Sequence, residues 1–225
     1  RVVQSEEPVD QPNRITETSD DLFIHEIESE NILHSGREWY QIAGSGRDIE
    51  INPGFSDVVT TEKILYKISV LARASIPTRF SFSDSKSTLS SVQVDGINLS
   101  STTGIWARTA EMDGEAFPQS SEPAFRISYS NNGEISARGW IDYVLLQARK
   151  QNKFNGLYSV FFDSRSVNEG VVTEFVISGE AENAFVWDVS DPFNPRVKTL
   201  SISGGKIRFR SETDSLKTFI AFSPP

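Results

Sequence analysis

The chain has 225 residues, a net charge of −9 at pH 7 and no cysteine. Without cysteine it can form no disulfide, no thiolate metal site and no cysteine nucleophile. The negative charge argues against nucleic acid and anionic membranes as partners, because both require a basic surface. No stretch approaches the roughly 18 apolar residues of a membrane helix. With 37% hydrophobic residues, the length allows one large β domain or two small ones.

Residues 1–21 are polar and acidic and contain two prolines, which is typical of a linker or an extended lead-in. From Leu22 onward, short segments alternate apolar and polar residues with a period of two, as strands with one buried face do. Turn signals such as Asn131-Asn-Gly133 separate these segments. Strands are predicted at 66–74, 80–82, 92–94, 125–129, 139–146, 157–162, 174–177, 184–189, 206–209 and 217–222.

The predicted strands recur roughly every 10 to 15 residues, and no amphipathic helix long enough for a βαβ crossover separates them. The fold class is therefore predicted to be all-β, an antiparallel, jelly-roll-like β-sandwich with few or no helices. One short helix is expected at 57–62. We expect a β-sandwich domain over 22–182, and a β-rich segment over 183–225 that either closes the sandwich or leads into a further domain.

Few residues of the chain suggest a catalytic or metal-binding role. His25 and His34 are the two histidines of the chain, and nothing in their spacing makes them converge with a carboxylate on a metal ion, so an incidental surface pair is favoured. The stretch 44–48 lacks the third glycine of a phosphate-binding loop, which favours a flexible turn. Asp188 and Asp191 could hold a calcium ion, but an Asp-Pro turn is the simpler interpretation. We predict no catalytic residue, no metal ligand and no cofactor.

The aromatic residues suggest a different interpretation. Trp39, Tyr40 and Trp106 lie at predicted strand edges beside glycine or arginine, where exposed rings could contact a sugar. Trp140 and Trp187 lie inside strand patterns and are expected to be buried. Because aromatic side chains dominate the cores of sandwiches, a core role is favoured for the first three as well. A carbohydrate-binding or adhesion module at a surface is kept as the alternative function.

Five segments of the chain, taken in order, resemble the PorU-like sortases of the type IX secretion system of Bacteroidetes, which are gingipain-type cysteine peptidases. Ser35–Tyr40 resembles an (S/G)-x-R-x-W-(Y/F)-G element early in these proteins, with Gln41 in place of the final glycine. Leu71–Ser75 is similar to their AARS element. Ala137–Lys150 resembles their RGYLDYIEL…RR segment. Val186–Pro195 is similar to VWDVTDPxNP, and Asp214–Phe222 to the DSLxxFVAF segment that precedes their peptidase domain.

This resemblance implies an exported protein at the outer membrane or cell surface. In the family, the Cys and His that cleave peptide lie in a later α/β domain, and the enzyme removes the sorting domain of secreted cargo and joins the cargo to anionic lipopolysaccharide. Because this chain has no cysteine, the resemblance implies a non-catalytic β region that supports or docks the protease and its cargo. The implied partners are the missing C-terminal peptidase domain and an outer-membrane secretion partner or cargo β domains; nucleic acid is not expected.

The motif residues also have structural explanations. Gly139 would let the backbone pass close to a neighbour at the start of a long strand. Asp142 needs a partner if it faces inward, and Arg138 is a candidate. Asp191 should begin a turn, because Pro192 favours extended backbone at the residue before it. The structural residues implied by the motifs are Arg138, Gly139, Trp140, Asp142, Tyr143, Trp187, Asp188, Asp191 and Pro192.

Overall fold

The structure is a computed structural model that describes residues 4–5, 11–179 and 183–223. Within these residues the chain forms nineteen β-strands and one short 3₁₀ helix, Ser164–Ser166, and no α-helix. The predicted all-β fold is therefore confirmed. In chain order the strands are β1 (Gln4–Ser5), β2 (Arg14–Thr16), β3 (Thr18–His25), β4 (Gln41–Ala43), β5 (Asp48–Ile51), β6 (Ile64–Arg73), β7 (Thr78–Ser83), β8 (Thr88–Val94), β9 (Arg108–Ala116), β10 (Phe125–Ser130), β11 (Arg138–Gln151), β12 (Lys153–Phe154), β13 (Tyr158–Phe162), β14 (Val172–Gly179), β15 (Phe185–Asp188), β16 (Arg196–Val197), β17 (Ser201–Ser203), β18 (Lys206–Glu212) and β19 (Thr218–Phe222).

The chain divides into two compact units. The central unit is Leu22–Ala148, and the terminal unit combines Arg1–Asp21 with Arg149–Pro225. The division falls within β3 and within β11, so each of these strands contributes residues to both units.

Two sheets enclose the core of the central unit. One has the strand order β5-β10-β7-β8, and the other has the order β3-β11-β6-β9 with β4 paired to β11. Alternate residues of each strand point into the space between the sheets, as the period of two requires. The buried cluster includes Phe80 and Phe82 of β7, Ile68 of β6 and Ile141 of β11. This arrangement is the β-sandwich that the alternation predicted.

Strand β11 is the long strand that carries the Arg-Gly-Trp motif. It pairs with β6 from Arg138 to Gln147, and the register shifts between Ile141 and Tyr143. Asp142 is the extra residue of this β-bulge, and its Oδ2 accepts a hydrogen bond from Ser69 Oγ at 2.9 Å. The prediction that Arg138 is the partner of Asp142 was wrong, because the bulge turns the Asp142 side chain towards the neighbouring strand β6.

The terminal unit is a second sandwich. One sheet has the order β1-β16-β15-β19-β13, and the other has the order β12-β14-β18-β17 with β2 paired to β14. Phe175, Phe209 and Phe219 pack between the sheets with ring centroids 4.8 to 5.2 Å apart. Most pairs are antiparallel, but β1–β16, β12–β14 and β2–β14 are parallel.

A buried ion cluster holds the first and last parts of the terminal unit together. Arg149 Nη1 donates to Asp20 Oδ1 at 2.9 Å and to Asp163 Oδ1 at 2.7 Å, while Arg149 Nη2 donates to Thr18 Oγ1 at 2.6 Å. Asp20 Oδ2 accepts from the Ser164 N–H at 2.7 Å. Burial alone would raise the pKa of Asp20, but the hydrogen bonds from Ser164 and Arg149 hold that pKa below its ordinary value.

The expected organisation differs from this division in three places. The segment 1–21, expected as a lead-in, contains β1, β2 and half of β3. Strand β1 pairs with β16, and β2 adds in parallel to the edge of β14. In the segment 183–223, β19 pairs with both β13 and β15, and the segment belongs to the same unit as Arg149, so the observed division lies within β11 and not at 182. The stretch 57–62 is not a helix, since Asp57 is left-handed with φ of 57° and Val58 donates to Ser121 O.

Candidate interaction surface

The Gly139–Trp140 motif has a packing role. A Cβ atom on Gly139 would lie 2.8 Å from the ring of Tyr129 and 2.9 Å from the ring of Phe80, so only glycine lets β11 approach these rings. Trp140 is 1% exposed, and its Nε1 donates to Glu30 Oε2 at 2.5 Å. A pocket of about 130 Å³ opens beside this indole. It is lined by Glu30, Ile42, Ala43, Gly44, Ser45, Ala137, Arg138, Gly139 and Trp140.

The three aromatic residues considered for sugar contact have different surroundings. Trp39 is 43% exposed, whereas Tyr40 is buried and donates its hydroxyl to Glu38 Oε2. Burial, followed by the hydrogen bond to Glu38, raises the pKa of Tyr40 to about 12. Trp106 packs on Trp140 with ring centroids 5.7 Å apart, and the Arg73 guanidinium lies 4.7 Å over the Trp106 ring. The structure therefore exposes one of the three rings and holds the other two inside a packed cluster.

The remaining polar candidates make local contacts. His25 Nε2 lies 2.6 Å from Gln41 Oε1, and His34 adopts a left-handed backbone with φ of 51° in the loop before β4. Arg47 N–H donates to Gly44 O, which closes the glycine-rich stretch as a turn. Among the residues that the structure describes, no three His, Asp or Glu side chains group closely enough to hold a metal ion. The described residues also include no helix long and apolar enough to cross a membrane.

The Asp188–Pro192 motif forms the predicted turn. Asp188 Oδ1 accepts from Ser190 N at 2.9 Å and from Ser190 Oγ at 2.6 Å, and Asp191 Oδ1 accepts from Phe193 N at 2.9 Å. Ser190 Oγ also accepts from Thr218 N at 2.9 Å. The hydroxyl of Ser190 therefore ties the turn after β15 to the start of β19, so both C-terminal motifs serve one sheet.

That sheet carries an uncharged face, which we call the aromatic face. Cross-strand pairing aligns Tyr158 with Phe222 and Phe222 with Phe185 in one row, and a second row aligns Val160, Ile220, Trp187 and Val197. Phe162 extends the face on β13. These residues alternate with the buried ones on each strand, so they point away from the core of the terminal unit. The aromatic face comprises Tyr158, Val160, Phe162, Phe185, Trp187, Val197, Ile220 and Phe222.

The rings of the aromatic face pack on one another and stay partly open. Phe185 and Phe222 stack with centroids 5.9 Å apart, and Trp187 meets Phe222 edge-on at 5.1 Å. Tyr158 is 71% exposed and Phe185 is 43% exposed. The cores of protein interfaces are enriched in Tyr, Trp and Phe and depleted of charged residues, so the aromatic face has the composition of an interface.

The outward face of the other sheet of this unit, which contains β14 and β18, is charged, in contrast to the aromatic face. There Glu174 lies opposite Arg210 and 3.2 Å from it, while Arg208 and Lys206 follow along β18. Lys206 also pairs with Glu17 at 2.8 Å. This face is charged and solvated, as surfaces that remain in water are. The two outward faces of one unit therefore differ in kind, and the aromatic face is the candidate site for a partner.

The sequence analysis did not identify the aromatic face. The signal was present, because Tyr158–Phe162, Phe185–Asp188 and Thr218–Phe222 carry apolar residues at both alternating positions. Near-continuous apolar strands are typical of sheets covered on both faces. The pattern was interpreted only as evidence for strands, although it also indicates that both faces of the sheet are covered.

Comparisons with known proteins agree with the fold. A solved chain, the dimeric latent PorU of Porphyromonas gingivalis, matches with a TM-score of 0.77 and 15% sequence identity. The match covers 99% of this chain and 22% of the PorU chain. No protein-family profile matches the sequence, and no curated protein matches it. At this identity the match shows a shared, PorU-like fold, and the chain spans about a fifth of the length of the solved relative.

Proposed function

We propose that this chain is the non-catalytic β region of a PorU-like, gingipain-type cysteine peptidase of the type IX secretion system, located at the cell surface or outer membrane. In this proposal the chain supports or docks the peptidase portion of a longer protein and the secreted cargo on which that portion acts. The two sandwiches would serve as a platform, and cargo β domains or an outer-membrane secretion component would be further partners.

The observation that carries the proposal is the PorU-like fold, which extends over 99% of the chain. The order of the five motif segments agrees with it, and two of these segments form adjacent strands, β15 and β19. The chain has no cysteine, so a cysteine-peptidase step would have to be carried out by another part of the protein. The same composition supports a platform role for these residues.

The alternative is a carbohydrate-binding or adhesion module, and one observation favours it. Trp39 exposes 43% of its surface in the loop before β4. Tyr40 and Trp106 cannot join it as a ring platform without leaving their packed cluster. A titration with glycans, followed by tryptophan fluorescence and repeated with Trp39→Ala, tests this alternative; saturable binding that is lost in the variant would support it.

The proposal is tested by binding in trans. The 225-residue chain and the remainder of its native protein are produced separately, and calorimetry measures their association and the association of the chain with a secreted cargo β domain. We expect saturable binding to at least one of them, and no peptide hydrolysis by the 225-residue chain alone. Absence of binding to the remainder, to cargo and to an outer-membrane secretion component would overturn the proposal.

A further inference from the structure

The aromatic face has the composition of a surface that a partner covers. Its strands β13, β15 and β19 place apolar residues on both sides, which is the pattern of a sheet buried on both faces. The inner side packs in the core through Phe161, Val186 and Phe219. On the outer side Tyr158 and Phe185 are exposed, and none of the hydrophobic clusters among residues 11–179 and 183–223 includes them. The sequence of these strands is therefore suited to a second packed layer.

The charge distribution indicates what kind of surface the partner should present. The chain carries a net charge of −9, yet none of the eight residues of the aromatic face is charged. Burying the face therefore removes no ion from water, whereas covering the charged outer face of β14 and β18 would strip water from Glu174 and Arg210. The matching surface should be apolar and uncharged as well.

The size of the aromatic face distinguishes a linked domain from a second copy. Four strands spaced about 4.8 Å apart and two rows of side chains about 7 Å apart give a patch roughly 15 Å on a side. A stable complex of separate proteins buries about 800 Å² on each partner, which is more than this patch supplies. A domain on the same chain needs less area, because a short connection holds it at an effective concentration in the millimolar range.

The position of β19 agrees with a linked domain. This strand lies in the middle of the sheet, between β15 and β13, and it carries Ile220 and Phe222 of the aromatic face. A segment that continues from β19 therefore starts beside the face. The solved PorU chain is several times longer than the part that this chain matches, so a PorU-like protein has further domains that could occupy it.

We infer that the aromatic face is the docking surface for a covalently linked domain of a longer PorU-like protein, and that this domain presents an uncharged apolar surface to Tyr158, Phe185 and Phe222. The inference rests on the proposed function and names the surface through which the platform would hold its linked domain. The domain acts as the second layer that the strand pattern of β13, β15 and β19 requires.

The test is the protection of a single thiol on the aromatic face. Because the chain has no cysteine, Tyr158→Cys places one thiol on the face, and Ile135→Cys places a control thiol on the central unit at a site that is 97% exposed. Maleimide labelling rates are compared between the 225-residue chain and the full native protein with every other cysteine replaced by alanine. We expect the rate at position 158 to fall at least tenfold in the full protein and the rate at position 135 to stay unchanged.

Two charge substitutions give an independent readout. Phe185→Lys puts a cation on the aromatic face, and Ile202→Lys puts one on the other sheet at a similarly exposed site, with exposures of 43% and 50%. Phe185→Lys should weaken association with the separately produced remainder at least tenfold, and Ile202→Lys should leave it unchanged. Equal labelling of the thiol at position 158 in both proteins would overturn the inference, and so would a native protein that ends at Pro225.

The outcomes separate the two proposals. Association in trans without protection of the thiol at position 158 would refute the aromatic face as the docking surface and leave the platform role intact. Protection of that thiol in the isolated chain that grows with its concentration would show that a second copy covers the face and would overturn the linked domain as its occupant. If the 225-residue chain binds neither the remainder of the protein, nor cargo, nor an outer-membrane secretion component, the proposed function itself is refuted.

Discussion

Gly139 shows how one missing side chain positions a whole strand. A Cβ atom on this residue would lie 2.8 Å from the ring of Tyr129 and 2.9 Å from the ring of Phe80, so β11 can lie this close to the opposite sheet only with glycine. The next residue, Trp140, then inserts its indole beside Glu30. Packing thus explains the glycine and the tryptophan of this motif.

We expect Gly139→Ala to destabilise the chain by about 1–3 kcal/mol, because the added methyl group must displace two rings packed in a core. Gly44→Ala is the matched control, since its Cβ would meet no atom closer than 3.7 Å, and it should change stability by less than about 0.5 kcal/mol. Urea unfolding of both variants checks this. Equal effects of the two substitutions would contradict the packing explanation.

The buried Arg149 cluster makes stability depend on pH. The pKa of Asp20 is held below its ordinary value by Ser164 and Arg149 against the opposing effect of burial, so the unfolded chain binds that proton more readily than the folded chain. The contribution of Asp20 is therefore present above about pH 4 and is lost as the pH falls through its lowered pKa. Burial alone would lower the pKa of Arg149, but its bonds to Asp20 and Asp163 raise it, and it stays charged throughout.

Asp20→Asn tests this dependence. The variant should be less stable than the wild type by about 1–3 kcal/mol at pH 7, since an amide replaces a carboxylate that accepts from a buried guanidinium. The difference should begin to shrink below about pH 4, where Asp20 of the unfolded wild type takes up its proton, and should go on shrinking as the pH approaches the lowered pKa of the folded chain. Urea unfolding at pH 7, 5 and 3 measures the difference, and a gap that stays constant over this range would show that the carboxylate charge is not what stabilises the cluster.

At the scale of elements, β19 has an inner and an outer side with different roles. Phe219 is fully buried and contacts the rings of Phe175 and Phe209 at 4.8 Å. Phe222 contacts Phe185 and Trp187 on the aromatic face and is only partly buried. One side of the strand therefore packs in the core of the sandwich, and the other side contributes to the aromatic face.

The two phenylalanines should respond differently to truncation in the isolated chain. Phe219→Ala should cost about 3–5 kcal/mol, because it leaves a cavity in the core. Phe222→Ala should cost about 1 kcal/mol, because it removes a ring that is already in contact with water. Thermal and urea denaturation of both variants give the comparison, and a cost for Phe222→Ala as large as that for Phe219→Ala would mean that the face is part of the core.

The sequence predicted the elements with alternating patterns and missed those without them. The alternation of apolar and polar residues with a period of two predicted strands such as β6, β10 and β18. Strand β9 was missed because Met112 is its one large apolar side chain, while Glu111, Asp113 and Glu115 point to solvent; its nine pairs with β6 fix it in place. Strand β2 was missed because it forms by parallel pairing with a strand more than 150 residues away, which no local pattern encodes.

The features of the candidate site also divide into those that a local sequence pattern predicts and those that depend on distant strands. The turn at Asp191 was predictable, because an Asp-Pro turn depends on neighbouring residues alone. The role of Gly139 was predictable as a close approach, but the rings it meets come from β7 and β10. The aromatic face depends on the pairing of three strands that lie up to 64 residues apart in the chain, so its rows of rings could be seen only in the structure.

At the scale of the whole molecule, the chain consists of two β-sandwiches, and one of them has an uncharged aromatic face directed to solvent. The fold is PorU-like over 99% of the chain. On this fold we base our central proposal, that the 225 residues form a docking region of a longer, PorU-like protein.

The mass of the native protein tests that claim most directly. An antibody against the 225-residue chain, used on cells denatured at once in the presence of peptidase inhibitors, identifies the native species by immunoblot and allows its capture for intact-mass measurement. The chain alone weighs 25.1 kDa and covers 22% of the solved PorU chain, so the account predicts a species several times heavier than 25.1 kDa. A native species of 25.1 kDa as the sole product would contradict it.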